Sequence, residues 1–184
     1  MRLDGDALAD KAAINAAIDI PDAKRADPRL AGKAAITASL TGSLAHPDVN
    51  LKASLADGKA LGRPVPHLDL DAVAHDVTGA LDAELKLAGE IDRKPLQGGG
   101  HLAKQKEGGW LVDRLAFNLG SVALQGTGSI DTQGLANGSL SLKAGNLDDL
   151  SPLLLTKLTG DIAVEAALDA ANGTQNAKLS AHAH

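Results

Sequence analysis

The sequence predicts a mainly β fold, an antiparallel meander with one short helix near residues 146–155. Three observations carry this. Apolar and polar residues alternate with period 2 in run after run. Turn-forming Gly, Asn, Asp and Pro residues stand between the runs. Aromatic residues are nearly absent: Trp110 and Phe117 are alone in 184 residues, and Ala and Leu supply 64 of the 81 hydrophobic residues (34 Ala, 30 Leu). Aromatic side chains bury the largest areas, so a core without them is thin or extended.

The clearest alternation is LDAELKLAGEID, Leu81 to Asp92. Leu81, Ala83, Leu85, Leu87, Gly89 and Ile91 share one face, opposite Asp82, Glu84, Lys86, Ala88 and Glu90. Successive strand side chains point to opposite faces, so this is a strand wet on one side. A helix would leave Leu87 and Ile91 off its apolar stripe. The pattern recurs at Ala34–Ile36–Ala38–Leu40, Val49–Leu51–Ala53–Leu55, Leu140–Leu142 and Ile162–Val164–Ala166–Leu168. In a further run, Val122, Leu124 and Ile130 share a face with Gly126 and Gly128. Leu68–Leu70–Ala72, Leu115–Phe117–Leu119 and Ala177–Leu179–Ala181 are weaker cases. The turns are expected at His46-Pro47-Asp48, Asp57-Gly58, Gly98-Gly99-Gly100, Gly108-Gly109, Asn137-Gly138 and Asn172-Gly173-Thr174, where Gly, Asn and Asp tolerate positive φ.

Two segments depart from the pattern. In NLDDLSPLLLTKL (residues 146–158), Asn146 is placed to cap a helix, with Asp149 three residues on. Leu147, Leu150, Leu154 and Leu158 follow at helical spacing, and Pro152 is expected to break the helix. Residues 1–26 are ambiguous: Ala favours helix, but Ile14, Ala16 and Ile18 alternate with Asn15, Ala17 and Asp19, which favours strands. The unit Leu-x-Gly-x-(Leu/Ile) appears at Leu40–Leu44, Leu87–Ile91 and Leu158–Ile162. Its irregular spacing excludes a solenoid of fixed period.

Composition excludes several functions. Eighteen Lys and Arg against 23 Asp and Glu, interspersed, do not make a nucleic-acid surface, and stacking aromatics are missing. The absence of Cys removes disulfides and thiol chemistry. No stretch of about 18 apolar residues is available to span a membrane as a helix. The start MRLDGDALADK has no signal-peptide pattern. Six His residues (46, 67, 75, 101, 182, 184) are present without a nucleophile elbow. Asp148-Asp149 suits a helix start, Gly98–Gly100 lacks the Lys-Ser/Thr of a phosphate loop, and the AHAH tail is an exposed terminus. No catalytic residue, metal ligand or cofactor is expected, and the chain is not expected to be an enzyme.

The order LTGSLAHPDVNLKASL (Leu40–Leu55), LDAELKLAGEI, LGSVALQGTGSID (Leu119–Asp131) and GNLDDLSPLLLTKLTGDIAVEAALD (Gly145–Asp169) resembles the central region of the TamB family, the inner-membrane subunit of the translocation and assembly module, within the AsmA-like group. The likeness runs from about Asp27 to Ala181. It implies a sheet curled into an elongated gutter, a β-taco, with an apolar inner face. It implies a periplasmic location in a protein anchored in the inner membrane, with residues 1–184 a single segment of a longer chain that lacks the anchor. It further implies phospholipid transport towards the outer membrane and support of outer-membrane protein assembly with a TamA-type barrel, met through parts absent from this segment.

An alternating sheet must bury its apolar face. Two packed sheets forming a closed β-core achieve this, and so does one curled sheet wrapped around acyl chains. With the resemblance, the expectation is an open groove for phospholipid acyl chains. Its lining would be Ile36, Leu40, Val49, Leu51, Leu55, Leu81, Leu85, Leu87, Ile91, Leu115, Phe117, Val122, Leu124, Ile130, Leu140, Leu142, Ile162, Val164 and Leu168. The alternative is a scaffold whose edge strands capture outer-membrane protein clients.

Overall fold

The computed structural model describes residues 2–8 and 11–184. Met1, Ala9 and Asp10, part of the ambiguous start, lie outside the described residues. Twelve strands form one open antiparallel sheet in chain order. They are β1 (Arg2–Leu8), β2 (Lys11–Ile20), β3 (Leu30–Ser43), β4 (His46–Ala60), β5 (Arg63–His75), β6 (Asp82–Ile91), β7 (Lys94–Lys104), β8 (Trp110–Leu119), β9 (Val122–Ile130), β10 (Ala136–Ala144), β11 (Ile162–Ala171) and β12 (Thr174–Ala183). The start therefore forms strands, followed by a 3-10 turn at Ala23–Arg25. β1 and β12 do not pair, so the sheet does not close.

The register turns the period-2 pattern into a single apolar face. Ile36 lies opposite Ala53, and the same row continues through Leu70, Leu87, Gly98, Phe117, Leu124, Leu142 and Val164. Polar residues fill the other face, where Lys52 and Asp71 pair at 3.2 Å across β4 and β5. The strand β8 carries one extra residue at Asp113–Arg114, where its register to β7 and β9 shifts and Arg114 takes φ 52°. This bulge rephases the strand. Trp110 and Val112 thereby share a face with Leu115, Phe117 and Leu119, although their numbers differ in parity.

Several expected turns lie inside strands. Gly98–Gly100 is in the middle of β7, not at a hairpin. A β-carbon at Gly98 would lie 3.2 Å from the Phe117 ring, and one at Gly100 would lie 3.4 Å from a Leu115 methyl. These glycines leave room on the apolar face for the large side chains of β8. Asp57-Gly58 lies within β4, where Asp57 (φ 52°) bends the strand, and the reversal comes at Leu61-Gly62. Asn137-Gly138 lies within β10. The preceding turn is held instead by Asp131, whose Oδ1 accepts from Gln133 N at 2.8 Å and Leu135 N at 2.9 Å. His46-Pro47-Asp48 opens β4, a place where a strand tolerates proline. The turns at Gly108-Gly109 and Asn172-Gly173 form as expected.

The helical segment forms where expected, as a 3-10 turn at Leu147–Leu150 running into α1 (Ser151–Leu154). The Asn146 side chain caps it by accepting from Asp148 N at 3.0 Å. Pro152 does not break the helix. It sits in the first turn of α1, where its missing N–H costs nothing. The helix ends at Leu155, which turns left-handed (φ 50°).

This β10–β11 connection is a strap across one end of the sheet. The Ser121 hydroxyl, in the β8–β9 turn, accepts from Asn146 N at 2.9 Å. Lys94, at the β6–β7 turn, bonds Asp149. Arg63, at the β4–β5 turn, bonds the Asp148 carboxylate, and its Nη1 donates to Asp148 O at 3.0 Å. Arg29, before β3, donates to Leu155 O at 2.7 Å. In a flat sheet β3 and β10 would stand about 34 Å apart, seven strand spacings. The ten largely helical residues from Asn146 to Leu155 span roughly 15 Å. The sheet must curl to bring these turns within one strap's reach. It is a gutter, with its apolar face inside.

Candidate functional site

The apolar face is closed at the strap end and open at the other. At the strap end Ala60, Val65, Ile91, Leu96 and Leu119 form the buried cluster, and Leu153 and Leu155 of the strap pack against it. Val122 and Ala144 are buried in the same row of the sheet. Roughly 25 Å along the strands, the face emerges into solvent. There Leu85, Trp110, Ile130 and Leu168 are each 41–47% exposed. Among the described residues, all twelve strands belong to a single sheet, so no second sheet covers this end.

A concavity of about 260 Å³ lies on the open part, over β8 to β11. Trp110, Val112, Leu115, Ile130, Leu140 and Leu168 supply its apolar walls, and Gly126 and Gly128 lie between them. No ionisable side chain lines it. Gly126 matters sterically: a β-carbon there would approach a Leu140 methyl to 2.9 Å. Small ligand pockets are mostly apolar and concave; this one is also wide open, which suits a flexible chain better than a rigid polar molecule.

The register places the predicted lining residues other than Leu81 within strands on this one face, from Ile36 and Leu40 of β3 to Ile162, Val164 and Leu168 of β11. Leu81 precedes β6, its carbonyl accepting from Lys104 N at 2.7 Å. The gradient separates them: Ile91 and Val122 are core residues of the strap end, whereas Leu85, Leu140 and Leu168 face the opening. Leu96 and Leu102 also lie on this face, although Gly98–Gly100 between them reads as a turn; the alternation Leu96-x-Gly98-x-Gly100-x-Leu102 is the signal that marks them. Trp110 and Val112, rephased by the bulge, join the face as well, and Leu153 and Leu155 reach it through the strap.

The carboxylates expected at the helix start lie in its first turn, and they also hold the strap. Asp149 is 5% exposed. Besides Lys94 it accepts from Ser121 N at 2.7 Å. Burial pushes its carboxyl up, but the Lys94 ammonium and the Ser121 N–H outweigh that and hold it below the ordinary carboxylate value. The Arg63 guanidinium, with the Ser151 hydroxyl, lowers Asp148 likewise. Gly120 (φ 58°) adjoins Asp149, and a β-carbon there would come within 2.8 Å of the Lys94 side chain.

On the polar face His101 of β7 bridges two carboxylates, Nε2 to Asp82 and Nδ1 to Asp113, each at 3.1 Å. Arg114 bonds Asp113 at 2.9 Å and lies 3.7 Å from Glu84. The bond to Asp82, then that to Asp113, raises the His101 pKa above 6.5. A raised histidine stabilises the fold below its unfolded pKa, and that contribution is lost as pH rises through the folded value. The denaturation midpoint is therefore expected to fall as pH rises above 6.5, and His101→Gln is expected to flatten that slope in chemical denaturation at a series of pH values. An unchanged slope would show that the His101 bridges contribute nothing.

Among the described residues, no three His, Cys, Asp or Glu side chains form a group fit to hold a metal ion. The other histidines stay apart; His184 lies 3.3 Å from Asp161, and His46 lies 2.7 Å from Asp76. Among the described residues, no helix is long and apolar enough to cross a membrane. The fold and site thus define a class: an open, strapped β-gutter with an apolar inner face. No protein-family model, curated protein or solved structure matches the chain.

Proposed function

We propose that this chain is a segment of a periplasm-spanning, inner-membrane-anchored protein whose apolar groove conducts phospholipid between the inner and outer membranes and so supports outer-membrane protein assembly. One observation carries the reading: large aliphatic side chains stay exposed together along the open side of a single face. Contiguous exposed apolar surface marks a binding surface. Acyl chains need no hydrogen bonds, and burying their surface yields about 25 cal/mol per Å². The resemblance of the Leu40–Leu55 and Asp149–Ile162 units to the TamB family supplies the biological setting. Because the strap obstructs exit along the strands, lipid would pass across them, from β1 towards β12.

The purified chain is expected to carry phospholipid recoverable by organic extraction, and to take up a fluorescent phospholipid. Leu85→Asp and Leu140→Asp, at the open end, are expected to cut uptake about tenfold while costing about 1 kcal/mol or less of stability, since these side chains are already partly in water. A chain without extractable lipid and without uptake would refute the proposal for this segment. A second reading, capture of client strands, draws support from the unpaired edges of the sheet; crosslinks of a bound client would then map to β1 or β12 rather than to the apolar face.

A further inference from the structure

Basic residues finish the inner face at both ends of the strands, and the two ends treat them differently. At the strap end these are Arg63, opposite Ala60, and Lys94, opposite Ile91. The strap's Asp148 and Asp149 answer them. At the open end the corresponding place belongs to Lys104. It continues the alternation Leu96, Gly98, Gly100, Leu102 of β7 and lies opposite Trp110 of β8.

No carboxylate answers Lys104. It is exposed, and among the described residues it forms no ion pair; its ammonium donates to Gly79 O at 3.1 Å. The loop carboxylates of this end are engaged elsewhere. Asp76 accepts from Ala80 N at 2.7 Å and faces His46, and Asp131 accepts from Leu135 N at 2.9 Å. Lys106 and Glu107, in the turn after Lys104, cancel in charge.

Apolar surface flanks this cation on the inner face. Leu85 and Leu102 are exposed on one side of it, and Trp110 and Ile130 on the other. Trp110 is the chain's one tryptophan. An indole has an apolar body and a polar N–H, and suits a place where apolar surface meets water. A lysine likewise lays its stem on apolar surface and keeps its ammonium in water. From Trp110 the concavity of about 260 Å³ runs on over β8 to β11, three strand spacings or about 14 Å. A cation at the mouth followed by an uncharged hollow matches the order of groups in an amphiphile with an anionic head. At least four strands separate this place from either edge of the sheet, so strands added beyond β1 or β12 would leave it as it is.

We propose that Lys104 and Trp110 hold the phosphate head of a lipid at the mouth of the groove, with an acyl chain laid across the concavity over β8 to β11. This rests on the lipid-conduit reading and adds to it a position for the head and a preference for negative charge there. The Lys104 ammonium attracts the phosphate, and the indole packs on the first carbons of the chain. Neutral lipids with the same acyl chains gain only the apolar contact.

Trp110 fluorescence reports binding directly, because no other tryptophan contributes. Soluble dioctanoyl phosphatidylglycerol is expected to bind about tenfold more tightly than dioctanoylglycerol, and the difference is expected to shrink with salt. Lys104→Glu is expected to abolish the preference and leave dioctanoylglycerol affinity unchanged. Lys104→Arg is expected to keep it, and so is Lys143→Glu, which makes the same change of net charge at an exposed position on the polar face. Equal binding of the two lipids, or a preference that survives Lys104→Glu, would overturn this head site and leave the conduit reading standing. Binding of neither lipid would overturn both. Orientation gives a separate measurement in the unaltered chain loaded with nitroxide-labelled phosphatidylglycerol. A label near the head is expected to quench Trp110 more strongly than one near the methyl end of the chain, and the reverse order would overturn the proposal.

Discussion

Asp149→Ala is expected to lower the unfolding free energy by about 2–3 kcal/mol, measured by urea denaturation. The carboxylate is almost fully buried and answers two donors, the Lys94 ammonium and the Ser121 N–H. Removing one partner of a buried pair leaves the other without compensation, at about 3–5 kcal/mol. Lys94 is 39% exposed and can turn to water, which reduces the cost. Asp149→Asn keeps an acceptor for Ser121 and loses only the charge, so about half the effect is expected. Amide exchange should also quicken at Ser121 and Leu158, whose N–H groups bond strap side chains, Ser121 to Asp149 and Leu158 to the Ser151 hydroxyl at 2.9 Å. A loss below about 0.5 kcal/mol, within the range of ordinary surface changes, would mean that other contacts hold the strap. Acid acts on the same joint. Asp148 and Asp149 have lowered pKa values, so the stability they contribute is present above the ordinary carboxylate value and is lost as pH falls through the lowered ones.

The second large effect is positional. Leu119→Ala is expected to cost about 3 kcal/mol, and Leu140→Ala about 1 kcal/mol or less, by the same measurement. Both residues lie on the apolar face, and both substitutions remove the same atoms. Leu119 is 1% exposed beneath the strap, where truncation leaves a cavity, whereas Leu140 is 38% exposed at the opening. Equal losses at the two sites would contradict a face graded from closed to open. The contrast bears on function, because the residues that contribute least to stability are the ones available to a ligand.

Much of this arrangement is legible in the sequence because it follows from backbone geometry. Period 2 assigns Leu85, Leu87 and Ile91 to one face whatever the rest of the chain does, and Asn146 marks its helix start by local hydrogen bonding. Sequence and structure part where local chemistry serves a distant partner. Gly98 and Gly100 look like a turn, but their missing side chains make room for Phe117 and Leu115 on the next strand. Asp149 looks like a helix-dipole residue, but its partners are Lys94 and Ser121. The bulge at Asp113–Arg114 has no signature in the run WLVDRLAF, so the inner position of Trp110 was hidden.

By itself the sequence determined most of the strands, their apolar face and the position of the helix, since each depends on residues within a few positions of one another. The tertiary structure alone decided which end of that face is closed. The contacts that close it join residues 28, 55, 85 and 126 positions apart. No periodicity relates such residues. They meet because the sheet curls until the turns at one end come within reach of a single strap, and the other end, with no strap, keeps its leucines in solvent.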